Sequence, residues 1–272
     1  MKFGGQILKP FKTPEEWLAL IAELGYSAVY FPLDHKAADC DIDAYMSAAY
    51  ENGLMIAEIG AWSNPMSPNK TEAHNAMENC KKQLALAEHV GAACCVNISG
   101  SRGNRWDGPH PDNFTKETFN KIVETVQEII DAVNPKRTFY TLELMPWMYP
   151  YNADTYLELI RAIDHPRFAV HLDPVNIINS PLDYFNNGAI IRECFDKLGP
   201  YIKSCHAKDI FLEDGLTVHL NEKRPGLGAL DYRTYLDCLR KLDDVPLMME
   251  HIQEHDEVVQ AAKFIRSLEA SL

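Results

Sequence analysis

No run of about 18 apolar residues occurs anywhere in the 272-residue chain, which excludes a membrane-spanning helix. The opening "MKFGGQILKP" lacks the apolar core of a secretory leader. No C-x-x-C is present. The seven cysteines (Cys40, Cys80, Cys94, Cys95, Cys194, Cys205 and Cys238) are odd in number and irregularly spaced, which argues against a disulfide framework or a structural zinc site. Positive charge is scarce: 26 Lys and Arg against 39 Asp and Glu leave a formal charge of -13. Gripping a phosphate backbone needs clustered cations, so nucleic acid is a poor partner, although one local cation suffices for a small anion. The expectation is a reduced, soluble, cytoplasmic protein.

The chain does contain eight short apolar runs: "FGGQIL", "SAVYFPL", "LMIAEIGAW", "ACCVNIS", "TFYTLELM", "FAVHLD", "YIKSCHA" and "PLMMEHI". Segments of helical period separate them. "TPEEWLALIAELG" opens with an N-cap Thr13, Pro14 at the first helical position and Glu16 completing a capping box, and closes on Gly25. Parallel neighbours need crossover connections, so strand–helix alternation predicts a parallel sheet. Eight such units over residues 1–272 predict a single α/β domain, a (β/α)8 barrel. The rival, an open doubly wound sheet, usually carries a glycine-rich phosphate turn after its first strand, and "GGQILKPFKTP" offers none. One irregular segment, Phe211–Leu230, enlarges the loop after the seventh strand.

In a barrel, side chains at the C-terminal strand ends converge on the mouth. The last four strands each end in a group able to ligate a metal: Glu143 in "TLELMPW", Asp173 in "HLDPVNI", His206 in "SCHAKDI" and Glu250 in "LMMEHI". A carboxylate in so apolar a context must be paired, hydrogen-bonded or metal-bound. Three together repel one another, and a divalent cation relieves that repulsion. Three oxygens and one imidazole favour Mn2+, with Mg2+ or Co2+ as alternatives, over zinc in a thiolate setting. The competing reading is four separate residues, solvated or structurally hydrogen-bonded.

At this point the sequence resembles the sugar phosphate isomerase/epimerase superfamily of xylose-isomerase-like barrels, which spans ketose 3-epimerases, hydroxypyruvate isomerase, inosose dehydratase and endonuclease IV. The family's Glu–Asp–His–Glu metal quartet falls on Glu143, Asp173, His206 and Glu250. "HAKDI" matches an H-x-K-D pattern of several members, and "RPGLGALDY" resembles the stretch before the seventh helix. The resemblance implies one divalent ion, a small sugar or sugar phosphate as substrate, and a homo-oligomer, dimer or tetramer. It also implies proton abstraction next to a carbonyl through a metal-stabilised enediolate, with Glu143 and Glu250 as catalytic acid and base. Isomerisation or epimerisation is the leading outcome. A lyase or dehydratase acting on a keto-sugar or inosose is the alternative, and a non-catalytic sugar-binding barrel or an abasic-site endonuclease ranks lower. The departures matter. No D-x-H follows His206, which separates the chain from three-metal nucleases. Asn176 and Tyr149 stand where free-ketose 3-epimerases carry His and Glu.

Residues expected to touch substrate are Trp62, Arg102, Asn176, Lys208 and Arg224. Each has an alternative: packing for Trp62, an Asx-turn for Asn176, a rim lysine for Lys208 and plain solvent exposure for the two arginines, which are the phosphate candidates. Trp106 and Trp147 are expected to wall the mouth. Glu58 and His171 read as polar core residues, Asp209 as a turn cap, and His251 as alternating away from Glu250.

Overall fold

The computed structural model describes residues 1–272. Eight parallel strands form a nearly closed barrel: β1 (Lys2–Gly5), β2 (Ala28–Tyr30), β3 (Met55–Gly60), β4 (Cys94–Asn97), β5 (Phe139–Glu143), β6 (Phe168–Leu172), β7 (Ile202–Ala207) and, after an insertion, β10 (Pro246–Met249). Every consecutive pair is hydrogen-bonded as a ladder except β1 and β2. That seam is joined by Ser27 N–H donating to the Phe3 carbonyl at 2.9 Å, and by Phe3 N–H donating to Ser27 Oγ at 3.0 Å. Gly4 permits the approach, since a Cβ there would stand 2.0 Å from the Ala28 carbonyl oxygen. Gly4→Ala is expected to cost about 1–3 kcal/mol by overpacking against backbone that cannot yield. Thermal unfolding by circular dichroism checks this as a fall of several degrees in Tm.

Helices follow the strands and close the outer layer. Thr13 Oγ1 accepts from Glu16 N–H, and Gly25 ends that helix at φ 63, as the sequence predicts. The expected capping box is not completed, because Glu16 Oε2 accepts from Lys12 N–H rather than from Thr13. Asn152 and Thr155 form a reciprocal capping box on the helix Ala153–Ile163. The main core, 61 buried residues, runs through the sheet and helix layers. A small separate group, Ala28, Ala57 and Met248, packs together apart from it. No helix is long and apolar enough to cross a membrane.

The insertion Phe211–Leu230 is better ordered than its sequence suggests. Asp209–Leu212 (β8) and Leu220–Lys223 (β9) pair antiparallel as a hairpin outside the barrel sheet. Buried Asp209 anchors its base. Its Oδ1 accepts from the N–H groups of Ile210 and Leu230, and its Oδ2 from Gly226. The helix Tyr232–Leu239 pins the preceding strand from outside: Tyr235 and Tyr232 hydroxyls donate to the His206 and Lys208 carbonyls at 2.8 and 2.7 Å.

Two register shifts set what faces the barrel interior. Val29 pairs with Ile56 but Tyr30 with Glu58, skipping Ala57; Val170 pairs with Ile202 but His171 with Ser204, skipping Lys203. Bulges of this kind re-aim side chains. Here they bring His171 and Ser204 onto the Glu58 carboxylate in the barrel interior.

Candidate metal centre

Glu143 ends β5, Asp173 follows β6, His206 lies on β7 and Glu250 follows β10. One ligand atom from each lies within 4.8 Å of the others. His206 Nδ1 is the common neighbour: 3.2 Å from Glu143 Oε1, 3.1 Å from Glu250 Oε2 and 3.6 Å from Asp173 Oδ2. Asp173 and His206 are fully buried, Glu143 nearly so and Glu250 half-buried. Asp173 divides its work, with Oδ1 accepting from Val175 N–H at 3.0 Å and Oδ2 facing the cluster.

Lys208 enters the same space. Its buried ammonium lies 2.9 Å from both Asp173 Oδ2 and Glu250 Oε2, and 3.8 Å from Glu143 Oε1. Burial opposes its charge, but Asp173, Glu143 and Glu250 outweigh that and hold its pKa well above the ordinary lysine value. These contacts balance charge without completing the hydrogen bonding. Asp173 Oδ2 and Glu250 Oε2 remain buried and make no hydrogen bond. Three carboxylates facing one cation, with two orphaned oxygens and an imidazole nitrogen among them, is a donor set that fits a divalent ion.

The other face of His206 meets the Glu58 carboxylate without a hydrogen bond between them. Its Nε2 lies 3.4 Å from Glu58 Oε2, while Glu58 Oε1 accepts from the Ser204 hydroxyl and lies 3.0 Å from His171 Nε2. Burial resists ionisation of Glu58, yet His171 and His206 overcome this and hold its carboxyl far below the usual range.

The acidic groups predict the pH response of the metal-free fold. Burial alone would raise the Glu250 pKa; His206 and Lys208 reverse this and hold it at about 2, against 4.5 ordinarily. Asp173 is likewise lowered, with burial offset by Lys208 and His206. A depressed carboxylate contributes stability that is complete above its unfolded pKa and is lost as pH falls through its folded one. Urea unfolding is therefore expected to show stability falling steeply between about pH 4.5 and 2. Glu250→Gln should flatten that fall.

Asn176 and Trp62 reach this region. Asn176 Nδ2 donates to Glu143 Oε1 and to the Leu144 carbonyl, both at 3.0 Å, and Lys208 Nζ lies 3.5 Å from its Oδ1. Trp62, Trp106, Met145, Asn176 and Lys208 line a cavity of 370 Å³ over the cluster, together with Glu143 and Glu250. Trp147 supports that wall from behind, its Nε1 donating to the Asp107 carbonyl at 2.6 Å. The two arginines are not brought to the cluster. Arg102 bonds the Met66 carbonyl and lies 3.7 Å from Glu117. Arg224 is engaged by Glu257, Gln260 and the Pro225 carbonyl. Neither lines the cavity.

Sequence alternation misplaces His251. β10 ends at Met249, and His251 adopts φ 58, so the strand rule no longer applies beyond it. Its Nδ1 lies 3.0 Å from Glu222 Oε1, on the hairpin, and 3.4 Å from Lys208 Nζ. Glu222 and His251 thus border the mouth, brought there by a hairpin and a left-handed residue that leave no periodic trace.

A family model described as xylose isomerase-like TIM barrel matches residues 18–268, and the chain belongs to that family. Among solved structures, D-psicose 3-epimerase with D-tagatose from Clostridium cellulolyticum H10 superposes with a TM-score of 0.73 at 14% identity, covering 100% of this chain and 99% of that one. A xylose isomerase-like barrel from Mycobacterium smegmatis in complex with magnesium gives 0.68 at 16% identity, covering 96% and 90%. A curated relative, 3-dehydroshikimate dehydratase of Bacillus anthracis, is 24% identical over 187 residues. That match takes in 69% of this chain, which spans 58% of the relative's length.

Proposed function

We propose that the protein is a divalent-metal-dependent isomerase or epimerase of a keto-sugar, with Mn2+ the preferred ion. The observation that carries this reading is the convergence of Glu143, Asp173, His206 and Glu250, with buried unpartnered oxygens, at the floor of a sugar-sized cavity. Those four residues would hold the ion. When bound, it supplies Lewis-acid stabilisation of charge developing on a substrate oxygen.

The protein's own groups do the rest. Glu143 engages the cluster through Oε1 and Glu250 through Oε2, and the second oxygen of each is assigned to the substrate. One carboxylate removes the proton next to the carbonyl and the other returns it. Return to the opposite face of that carbon gives epimerisation, and return to the neighbouring carbon gives isomerisation. Asn176 holds Glu143 in place, and Lys208 offsets the negative charge and orients a substrate oxygen. Trp62 walls the cavity against bulk water. The engaged arginines favour an unphosphorylated substrate.

The dehydratase relative supports a second reading, in which the same proton removal is followed by loss of a β-hydroxyl. Incubating the Mn2+-loaded protein with a panel of ketoses and keto-sugars in D2O separates the two. A mass-neutral product carrying solvent deuterium is the expected result. Release of water supports elimination, and no exchange with any member overturns both.

A further inference from the structure

The cavity over the cluster adjoins a larger one. A second, of 690 Å³, opens beside it toward β1, β2 and β3. Trp62 and Glu250 line both, so the chambers meet at one of the proposed acid–base residues. Pockets of about 300–1,000 Å³ enclose drug-sized ligands, and the smaller chamber alone accommodates one sugar ring. A lone monosaccharide bound over the cluster would leave the larger chamber filled with water.

The walls of the larger chamber select what enters. Tyr30, Phe31, Leu33 and Ile59 supply apolar and aromatic surface. Gln83 also lines it but is held at both ends, by His35 N–H and the Gly60 carbonyl, while Gln6 accepts from Ile252 N–H and keeps its Nε2 for a ligand. Its carboxylates are Asp34, Glu58 and Glu250, against a single ammonium, Lys36. That ammonium is solvent-exposed and 4.0 Å from Asp34. No arginine lines either chamber. An anionic substituent would meet net negative walls, with three carboxylates against one ammonium. A ring with apolar C–H faces and neutral hydroxyls matches the aromatic surface and the Gln6 amide nitrogen. The width at the junction depends on Gly60, where a Cβ would lie 2.4 Å from Trp62 Nε1, so the indole lies directly on the backbone.

We infer that the substrate is an uncharged glycoside: a keto-sugar ring over the metal cluster, bonded to a second ring that occupies the Gln6–Tyr30–Leu33 chamber. This rests on the enolising reading above for the first ring, and on the second chamber alone for the other.

The test compares 3-keto-glucose, a 3-keto-disaccharide of glucose and fructose 6-phosphate as substrates for deuterium uptake by the Mn2+-loaded protein. Ala37→Trp fills the second chamber without touching the cluster, and the smaller Ala37→Phe serves if the first variant does not fold. Binding of the unoxidised disaccharide, followed by tryptophan fluorescence, is the readout independent of turnover. The wild type is expected to favour the keto-disaccharide in kcat/KM by at least about tenfold over the monosaccharide, and the filled variant to lose that preference while monosaccharide exchange stays within about twofold. Equal or better exchange of the monosaccharide or the phosphate by the wild type overturns the inference and leaves the enolising reading standing. Absence of exchange with all three, with disaccharide binding that the filled variant weakens, overturns the enolising reading and keeps the second chamber. Loss of all exchange and binding equally in a folded filled variant overturns the inference.

Discussion

Glu143→Gln and Glu250→Gln are each expected to slow interconversion by about 10²–10⁴-fold, the span a positioned general acid or base contributes. The amide keeps an oxygen toward the cluster but cannot take a proton. The two variants should not be equivalent. If the carboxylates serve opposite faces of one carbon, each variant retains the base for one epimer and loses it for the other. Deuterium should then wash into one epimer with Glu143→Gln and into the other with Glu250→Gln, with little interconversion in either. Mass spectrometry of recovered substrate checks this. Equal loss of exchange with both epimers in both variants would assign the carboxylates to metal binding alone.

Lys208→Met is expected to be the most damaging single change to the metal-free fold. The ammonium is buried among Asp173, Glu143 and Glu250 with Glu222 3.5 Å away. Removing one partner of a buried charge group leaves the others uncompensated, which typically costs about 3–5 kcal/mol. At about 2–4 °C per kcal/mol for a chain approaching this size, Tm should fall by roughly 10 °C. Added Mn2+ should recover most of the loss, because a divalent ion supplies the charge that the lysine no longer does. A variant that unfolds at the wild-type temperature without metal would show that Lys208 does not balance the carboxylates. A destabilised variant that metal does not rescue would separate the lysine's role from the ion's.

Much of the architecture is legible in the sequence because the barrel strands are apolar and their helices carry local signals. Thr13, Pro14 and Gly25 predict their helix, and the structure places its ends there. Glu143, Asp173, His206 and Glu250 stand out because a carboxylate or imidazole at the end of an apolar strand is an anomaly, and four at successive strands form a pattern. Other features carry no such signal. The hairpin Asp209–Lys223 mixes charged with apolar residues, and its antiparallel backbone pairing lies outside the barrel's strand–helix rhythm. Glu58 is legible as buried, but its contact with His206 depends on a register shift at Ala57 that only pairing reveals. Arg102 and Arg224 are attractive as isolated cations in loops. Their engagement by Glu117 and Glu257 comes from helices elsewhere in the chain, a tertiary fact. His251 escapes because a single left-handed residue ends the alternation that assigns it outward.

The most direct measurement is a crystal structure of the protein grown with Mn2+, with anomalous diffraction collected at the manganese edge. One strong peak is predicted among Glu143, Asp173, His206 and Glu250, with His206 Nδ1 as its nitrogen ligand and the Lys208 ammonium displaced from Asp173 and Glu250. Absence of a peak there at saturating Mn2+, with Lys208 still seated among the carboxylates, would contradict a metal-centred site.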